Sequence, residues 1–335
     1  MESTSCPSCR STAAKKHGHT ADGRPRHRCG ACRRVWVEGR LPRATRRARR
    51  ITDAQAEMIL GMLCEGSSIR AAERLTGVGQ RAILRLLVTT GRGCERLLSE
   101  RLRGVSVNDV ECDEIWSFVH CKEAVRRKRQ YDIEKAGDAY TFLGIERGSK
   151  LILAHHCGRR TSADANVFMA RLATATDGRF QLSTDGWDGY PAAIEEHLGA
   201  RVDYAQQVKE FGNVGGEEGR RYAPPRLIGS EKFWISGEPV EDRVGTSRIE
   251  RFNWTLRTGL RRFVRLSNGF SRKRENLAAA VAIFVAYYNF VKFHKSIRMT
   301  PAMKAGIVRR PWSVADLLRE AEGREREIAV MAMAA

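Results

Sequence analysis

What this 335-residue chain lacks narrows its possibilities before any motif is read. No apolar run approaches the ~20 residues of a spanning helix, and Met1 is not followed by an apolar signal core. That pattern argues against a membrane protein, and a cytoplasmic or nucleoid-associated one is expected. Acid is scarce: 39 Asp and Glu face 59 Lys and Arg, a net charge of +20, and the pI is near 10.1. Such a field repels acidic proteins and attracts polyanions, so DNA is the expected partner. Hydrophobic residues make up 42% of the chain, enough for one sizeable core with smaller modules attached.

A disulfide framework is also missing. Of nine cysteines, five stand singly at Cys64, Cys94, Cys112, Cys121 and Cys157, while four form the pairs CPSC (Cys6, Cys9) and CGAC (Cys29, Cys32). Nineteen residues separate the pairs, the spacing of a zinc ribbon in which two knuckles offer four thiolates to one tetrahedral Zn²⁺. No βαβ pattern surrounds either pair, which argues against a redox motif. His17, His19 and His27 between the knuckles are alternative ligands or part of a solvated basic loop. The expected zinc is structural, because so small a module has too little core to fold without it.

Residues 39–50, GRLPRATRRARR, contain no acid. They read as a linker whose Arg46, Arg47, Arg49 and Arg50 touch DNA phosphates, solvation being the alternative. Residues 51–104 show helical periodicity broken at EGSS and TGVG. Ile69, Ala72, Leu75, Val78, Ile83 and Leu87 form the expected core of a helix-turn-helix, with Gly77 in the turn and Gln80, Arg81 and Arg85 facing DNA.

Next come three β-branched, apolar runs, VECDEIWSFV, AYTFLGIE and KLILAHHC, in meander order; helical and strand patterns then alternate. This order predicts an α/β mixed sheet flanked by helices. Carboxylates interrupt it: Asp113 lies within the first strand and Asp185 at the end of the fourth. A third, Glu250, flanks the apolar stripe Ile249, Phe252, Leu256, Leu260 and Phe263 of a helix, with Asn253 and Arg257 on its side. Three oxygen donors converging in a basic protein imply Mg²⁺ or Mn²⁺. Glu111 and Glu114 are expected to face solvent, and Asp188 competes with Asp185 for a metal role. The dull alternatives are a turn cap for Asp185 and a surface ion pair with Arg251 or Arg257 for Glu250.

VECDEIWSFV, STDGWDGY and SRIERFNWTLRTGLRRFVRLSNGFS, followed by AYYNFVKFHKSIRMTPAMKAGI, together resemble the DDE transposases with a ribonuclease H-like fold. More narrowly, they resemble the family of the enterobacterial insertion sequence one, over nearly the whole chain. The resemblance implies a transposase that binds terminal inverted repeats and joins a 3′-hydroxyl to target DNA. Asp113, Asp185 and Glu250 would be its magnesium ligands, and Arg257 would hold a DNA phosphate. The domains expected are a zinc ribbon (1–38), the basic linker (39–50), an all-α helix-turn-helix (51–104), the catalytic domain (105–310) and a helical tail (311–335). Residues 207–245 read as a loop-rich insertion in which Lys209, Arg220, Arg221 and Lys232 are candidate DNA contacts. Residues 272–295 read as a buried helix closing the sheet, and 314–330 as an amphipathic helix suited to oligomerisation. A transposase must pair two DNA ends, so a homo-oligomer is implied. The rival readings are a DNA-binding regulator with an inert core, and a metal-dependent nuclease that cuts without joining.

Overall fold

The computed structural model describes residues 5–20, 23, 25–37, 51–130, 136–212, 226–264 and 267–323. The chain divides after Ile51 into two compact units. In the smaller, β1 (Ala14–His19), β2 (Pro25–Cys29) and β3 (Val35–Val37) form an antiparallel sheet. The histidines expected in a basic loop therefore lie on strands: His17 and His19 are exposed on β1, and His27 is buried on β2 and stacked on Trp36. Arg46, Arg47, Arg49 and Arg50 lie outside the described residues.

The larger unit begins with α1 (Asp53–Cys64), α2 (Ile69–Thr76) and α3 (Gln80–Arg101). Thr52 and Gln55 form a capping box on α1. Ser68 caps α2, which ends at Gly77 in the left-handed conformation (φ 68°). Ala72, Val78, Ile83 and Leu87 are buried as expected, but Leu75 is 71% exposed. Helix α2 has only eight residues and buries only Ala72, so its last turn turns Leu75 to solvent.

Two short strands, β4 (Val105–Ser106) and β8 (Thr176–Asp177), pair with each other. The main sheet contains β5 (Asp109–Val119), β6 (Gly137–Glu146), β7 (Ile152–Gly158), β9 (Phe180–Thr184), β10 (Val202–Gly212) and β11 (Arg226–Ser236). Its spatial order is β11-β10-β9-β5-β6-β7. Strands β5, β6 and β7 are the antiparallel meander read from the sequence, and β9 and β10 run parallel to β5. Between the strands lie α4 (Glu123–Lys128), α5 (Ser162–Ala175) and α6 (Tyr190–His197). Strand β6 is buried almost continuously, as a strand covered on both faces must be.

The segment expected to be loop-rich is largely extended: β11 pairs antiparallel with β10, with Gln207 opposite Lys232 and Lys209 opposite Ser230. Arg220 and Arg221 lie outside the described residues. Three helices follow, α7 (Ser247–Gly259), α8 (Arg274–Ala286) and α9 (Pro301–Lys304), then a helix over residues 314–323. Helix α8 is the buried helix expected, and it packs on both β7 and α3. A Cβ at Gly91 of α3 would stand 2.4 Å from the Ala279 Cβ, so glycine is what lets the two helices approach. The helix-turn-helix segment is thereby built into the same unit as the sheet. Leu317 and Ala321 of the last helix are buried, with the Ala321 carbonyl against Gly93 of α3. Among the described residues, no helix is long and apolar enough to cross a membrane.

Candidate metal centres

Cys6, Cys9, Cys29 and Cys32 bring their sulfurs within 4.8 Å of one another. The Sγ atoms of Cys6 and Cys32 are 3.6 Å apart, and those of Cys9 and Cys29 are 3.5 Å apart. A tetrahedral zinc with bonds of about 2.3 Å needs sulfurs about 3.8 Å apart, so the cage fits the ion. The Ser8 and Cys32 N–H groups donate to the Cys6 and Cys29 sulfurs at 3.4 Å. Arg10 and Arg33, each following the second cysteine of its pair, take positive φ (57° and 59°), which closes each knuckle. The Cys32 N–H pulls the Cys29 thiol down to about 6, while the neighbouring sulfurs push the Cys32 thiol up, so the four share their protons until a metal displaces them. The single cysteines Cys64, Cys94, Cys112 and Cys157 have thiols pushed up by burial, away from reactivity.

The second cluster lies in the main sheet. Pairing of β5 with β9 ends at Glu111 opposite Ser183, and Asp185 follows β9 directly. Where the two strands part, Asp113, Glu114 and Asp185 place carboxylate oxygens within 4.8 Å of one another. Strand alternation decides what each acid of β5 meets. Glu111 and Asp113 face α7, whereas Glu114 faces Arg160 and the Tyr190 side of the sheet.

Neither glutamate faces solvent, contrary to the expectation from sequence. Glu111 is 2% exposed, and its Oε2 accepts from the Arg248 and Ile249 N–H groups at 2.7 and 3.0 Å. It caps the first turn of α7, where no side chain of that helix does so. The Glu114 side chain is 3% exposed, with Oε2 3.4 Å from Arg160 Nε. Two apolar helical layers had to close over β5 before these carboxylates were buried, and a single strand shows no sign of that.

Charge is held here at a cost. Burial, then the negative Asp185, pushes both the Asp113 and Glu114 carboxyls up to about 7. Burial raises Asp185 as well. The compensating contacts are few: the Glu114 N–H donates to Asp113 Oδ1 at 2.8 Å, Asn253 Nδ2 to Asp113 Oδ2 at 2.7 Å, and the Trp187 N–H to Asp185 Oδ1 at 3.1 Å. Arg160 reaches Asp185 Oδ2 at 3.3 Å while lying over the Trp187 ring, its guanidinium carbon 5.0 Å from the ring centroid. Hard oxygen donors in a partly dehydrated site that disfavours their own ionisation suit a small divalent cation.

Glu250 is on α7 as expected, but it is not among the three converging carboxylates. Its Oε1 is held by Lys209 Nζ and by the Thr246 hydroxyl at 2.9 Å. Lys209, considered above as a DNA contact, is thus engaged with an acid, and Lys232 donates to the Glu241 carbonyl. Arg251, a partner considered for Glu250, lies over Trp254 instead. Arg257 is half-buried near the end of α7, and Asp188 is exposed. Gln80, Arg81 and Arg85 are exposed at the start of α3, with the Gln80 amide bonded to Glu73. Glu114 and Arg160 were missed from sequence. The signal for Glu114 was its adjacency to Asp113; nothing local marks Arg160.

No protein-family model matches the chain, and no curated protein does. Among solved structures, it is similar to a chain of the simian T-cell lymphotropic virus intasome in complex with PP2A regulatory subunit B56 gamma. Identity is 14%, 77% of each chain is covered, and the TM-score is 0.33. So distant a likeness carries no weight for activity.

Proposed function

We propose that the chain is a DNA transposase of the insertion-sequence type, a metal-dependent strand transferase with a ribonuclease H-like core. The observation that carries this reading is the meeting of Asp113, Glu114 and Asp185 where β5 and β9 part. Numbered from the β5 meander outward, the sheet order becomes 3-2-1-4-5 with β11 added, which supports the ribonuclease H-like assignment.

Asp113, Asp185 and Glu250 are the proposed ligands of Mg²⁺ or Mn²⁺, with Glu114 beside them. When bound, such ions activate an attacking hydroxyl and neutralise charge on the leaving oxygen of a phosphodiester. Asn253 fixes the Asp113 carboxylate through its amide, and Arg160 supplies a guanidinium that can exchange its carboxylates for a substrate phosphate. Glu250 joins the set by releasing Lys209. Water attacks first and breaks the bond between phosphorus and the 3′ oxygen, leaving a 3′-hydroxyl at the element's end. That hydroxyl then attacks a phosphodiester of target DNA, its oxygen bonding to the phosphorus as the target's own P–O3′ bond breaks and its 3′ oxygen leaves as a hydroxyl, and no protein nucleophile is needed.

The rest of the reading follows from charge and layout. Arg46, Arg47, Arg49, Arg50, Gln80, Arg81, Arg85 and Arg257 are the proposed DNA contacts, and the four cysteines hold a structural Zn²⁺. The pairing of two ends calls for a homo-oligomer. The test is strand transfer with Mg²⁺ and a labelled duplex carrying the ends that flank the gene. Joined product should fall more than about 10³-fold in Asp185→Ala, roughly 4 kcal/mol of transition-state stabilisation, with end binding retained. Nicked but unjoined DNA from the unaltered protein would make it a nuclease, and joining by Asp185→Ala would overturn the site.

A further inference from the structure

In the larger unit, the helix-turn-helix segment meets the chain after α7 around a cavity of about 790 Å³. Four arginines line it, Arg70 on α2, Arg261 and Arg262 after α7, and Arg272 before α8, and no Asp or Glu does. Elsewhere in this unit Arg160, Arg179 and Arg243 each meet a carboxylate. None of the four has an ion pair among the described residues. Arg262 donates to the neutral Ser271 hydroxyl at 2.8 Å, and burial pulls its guanidinium down to about 10. Arg70, Arg261 and Arg272 are exposed and Arg262 is half-buried, so the hollow is open on a wall whose charged side chains are all basic, and its field favours an anion.

The cavity is separate from the carboxylate site. Strand β5 runs six residues beyond Asp113, about 20 Å, before Val119 bridges to Ser271 at the cavity's edge. Its size falls within the range of about 300 to 1,000 Å³ typical of small-molecule sites, far more than a phosphate group fills. Asn268, Asn276 and Phe270 also line it, beside apolar residues such as Leu84, Leu87 and Ile283, and the Phe270 ring is braced from behind by Phe118, their centroids 4.9 Å apart. A base stacked inside a duplex cannot enter such a hollow, whereas an unpaired one can stack on the ring and meet the amides.

We propose that this cavity binds an unpaired nucleotide of a DNA strand, with its phosphate among the four arginines and its base against Phe270. The inference rests on the reading of the chain as a DNA-processing enzyme and adds to it a preference for single-stranded or frayed DNA. The test is fluorescence anisotropy of the full chain with a labelled single strand of about twelve nucleotides, beside a blunt duplex of the same sequence. Arg261→Glu with Arg272→Glu should weaken single-strand binding about tenfold or more and lower its salt dependence, leaving duplex binding within about twofold. Phe270→Ala should weaken single-strand binding about fivefold or more. Arg70→Gln, on a different element, should act in the same direction with an unchanged melting midpoint. Unchanged single-strand affinity, or a parallel loss for both DNAs, would overturn the proposal. Arginine-dependent strand binding by a chain that neither nicks nor joins DNA would leave the cavity standing and overturn the enzyme. Joining by a chain whose strand affinity ignores the arginine substitutions would do the reverse.

Discussion

The cysteine cage and the carboxylate cluster are both ligand sets, but they stand in opposite relations to the fold around them. Among the described residues of the smaller unit only Cys6, Cys29 and His27 are buried, so its interior is little more than two of the ligands and one histidine. The acids of the larger unit sit in a sheet sealed by Phe142, Phe168, Tyr190, Phe252 and Phe284, all nearly inaccessible. One site makes its fold, and the other is made by it. A metal bound to the first is folding free energy. A metal bound to the second relieves repulsion that the fold already tolerates.

The largest effect expected from this contrast is Cys29→Ser. It should remove one equivalent of zinc and with it stabilisation of about 10 kcal/mol or more, so that amide exchange in residues 5–37 becomes unprotected. The cooperative melt of the larger unit should not move. A smaller unit that stays protected without zinc would break the comparison.

The carboxylate cluster should answer differently, through pH. Asp113 is raised to about 7 in the folded chain, against about 3.9 when unfolded. Between those values the folded state holds a proton that the unfolded state lacks, so stability declines as pH rises from about 4 to about 7 and is level above. The contribution at pH 8 is an unfavourable few kcal/mol at most, at about 1.4 kcal/mol per unit. In chelator, Asp113→Asn should therefore raise the melting midpoint at pH 8 and change it little at pH 4. With Mg²⁺ present, the unaltered chain should gain most at pH 8 and the variant should gain little. Destabilisation by Asp113→Asn at pH 8 in chelator would show that the site is not strained by its own charge.

The smallest effect sharpens the place of Glu250. Lys209→Met removes the ammonium that now competes for its carboxylate, so the Mg²⁺ concentration giving half of the thermal shift should fall by roughly twofold to fivefold, the scale of an exposed ion pair. An unchanged concentration would mean that Glu250 is not among the ligands.

The sequence was most legible where structure is local. The two CxxC pairs identify the cage because each knuckle is closed within four residues. The meander, the apolar stripe of α7 and the buried α8 were visible in residue periodicity. The β10–β11 hairpin was not, because LIGSEKFWI has no clean alternation: Leu227, Ile228, Phe233, Trp234 and Ile235 are exposed on both of its faces. Leu75 misled because hydrophobicity alone does not show where a short helix ends.

The sequence by itself determined the cysteine cage, the β5-β6-β7 meander and the position of Asp113 and Asp185 at neighbouring strands. Only the tertiary structure decided that Glu114 is buried beside them, that Glu111 caps α7, and that Glu250 is held by Lys209. Those outcomes depend on contacts between residues as far apart as Glu111 and Arg248. A carboxylate's ionisation is set by the water it loses and the charges it gains, and both come from elements that pack over its strand from elsewhere in the chain.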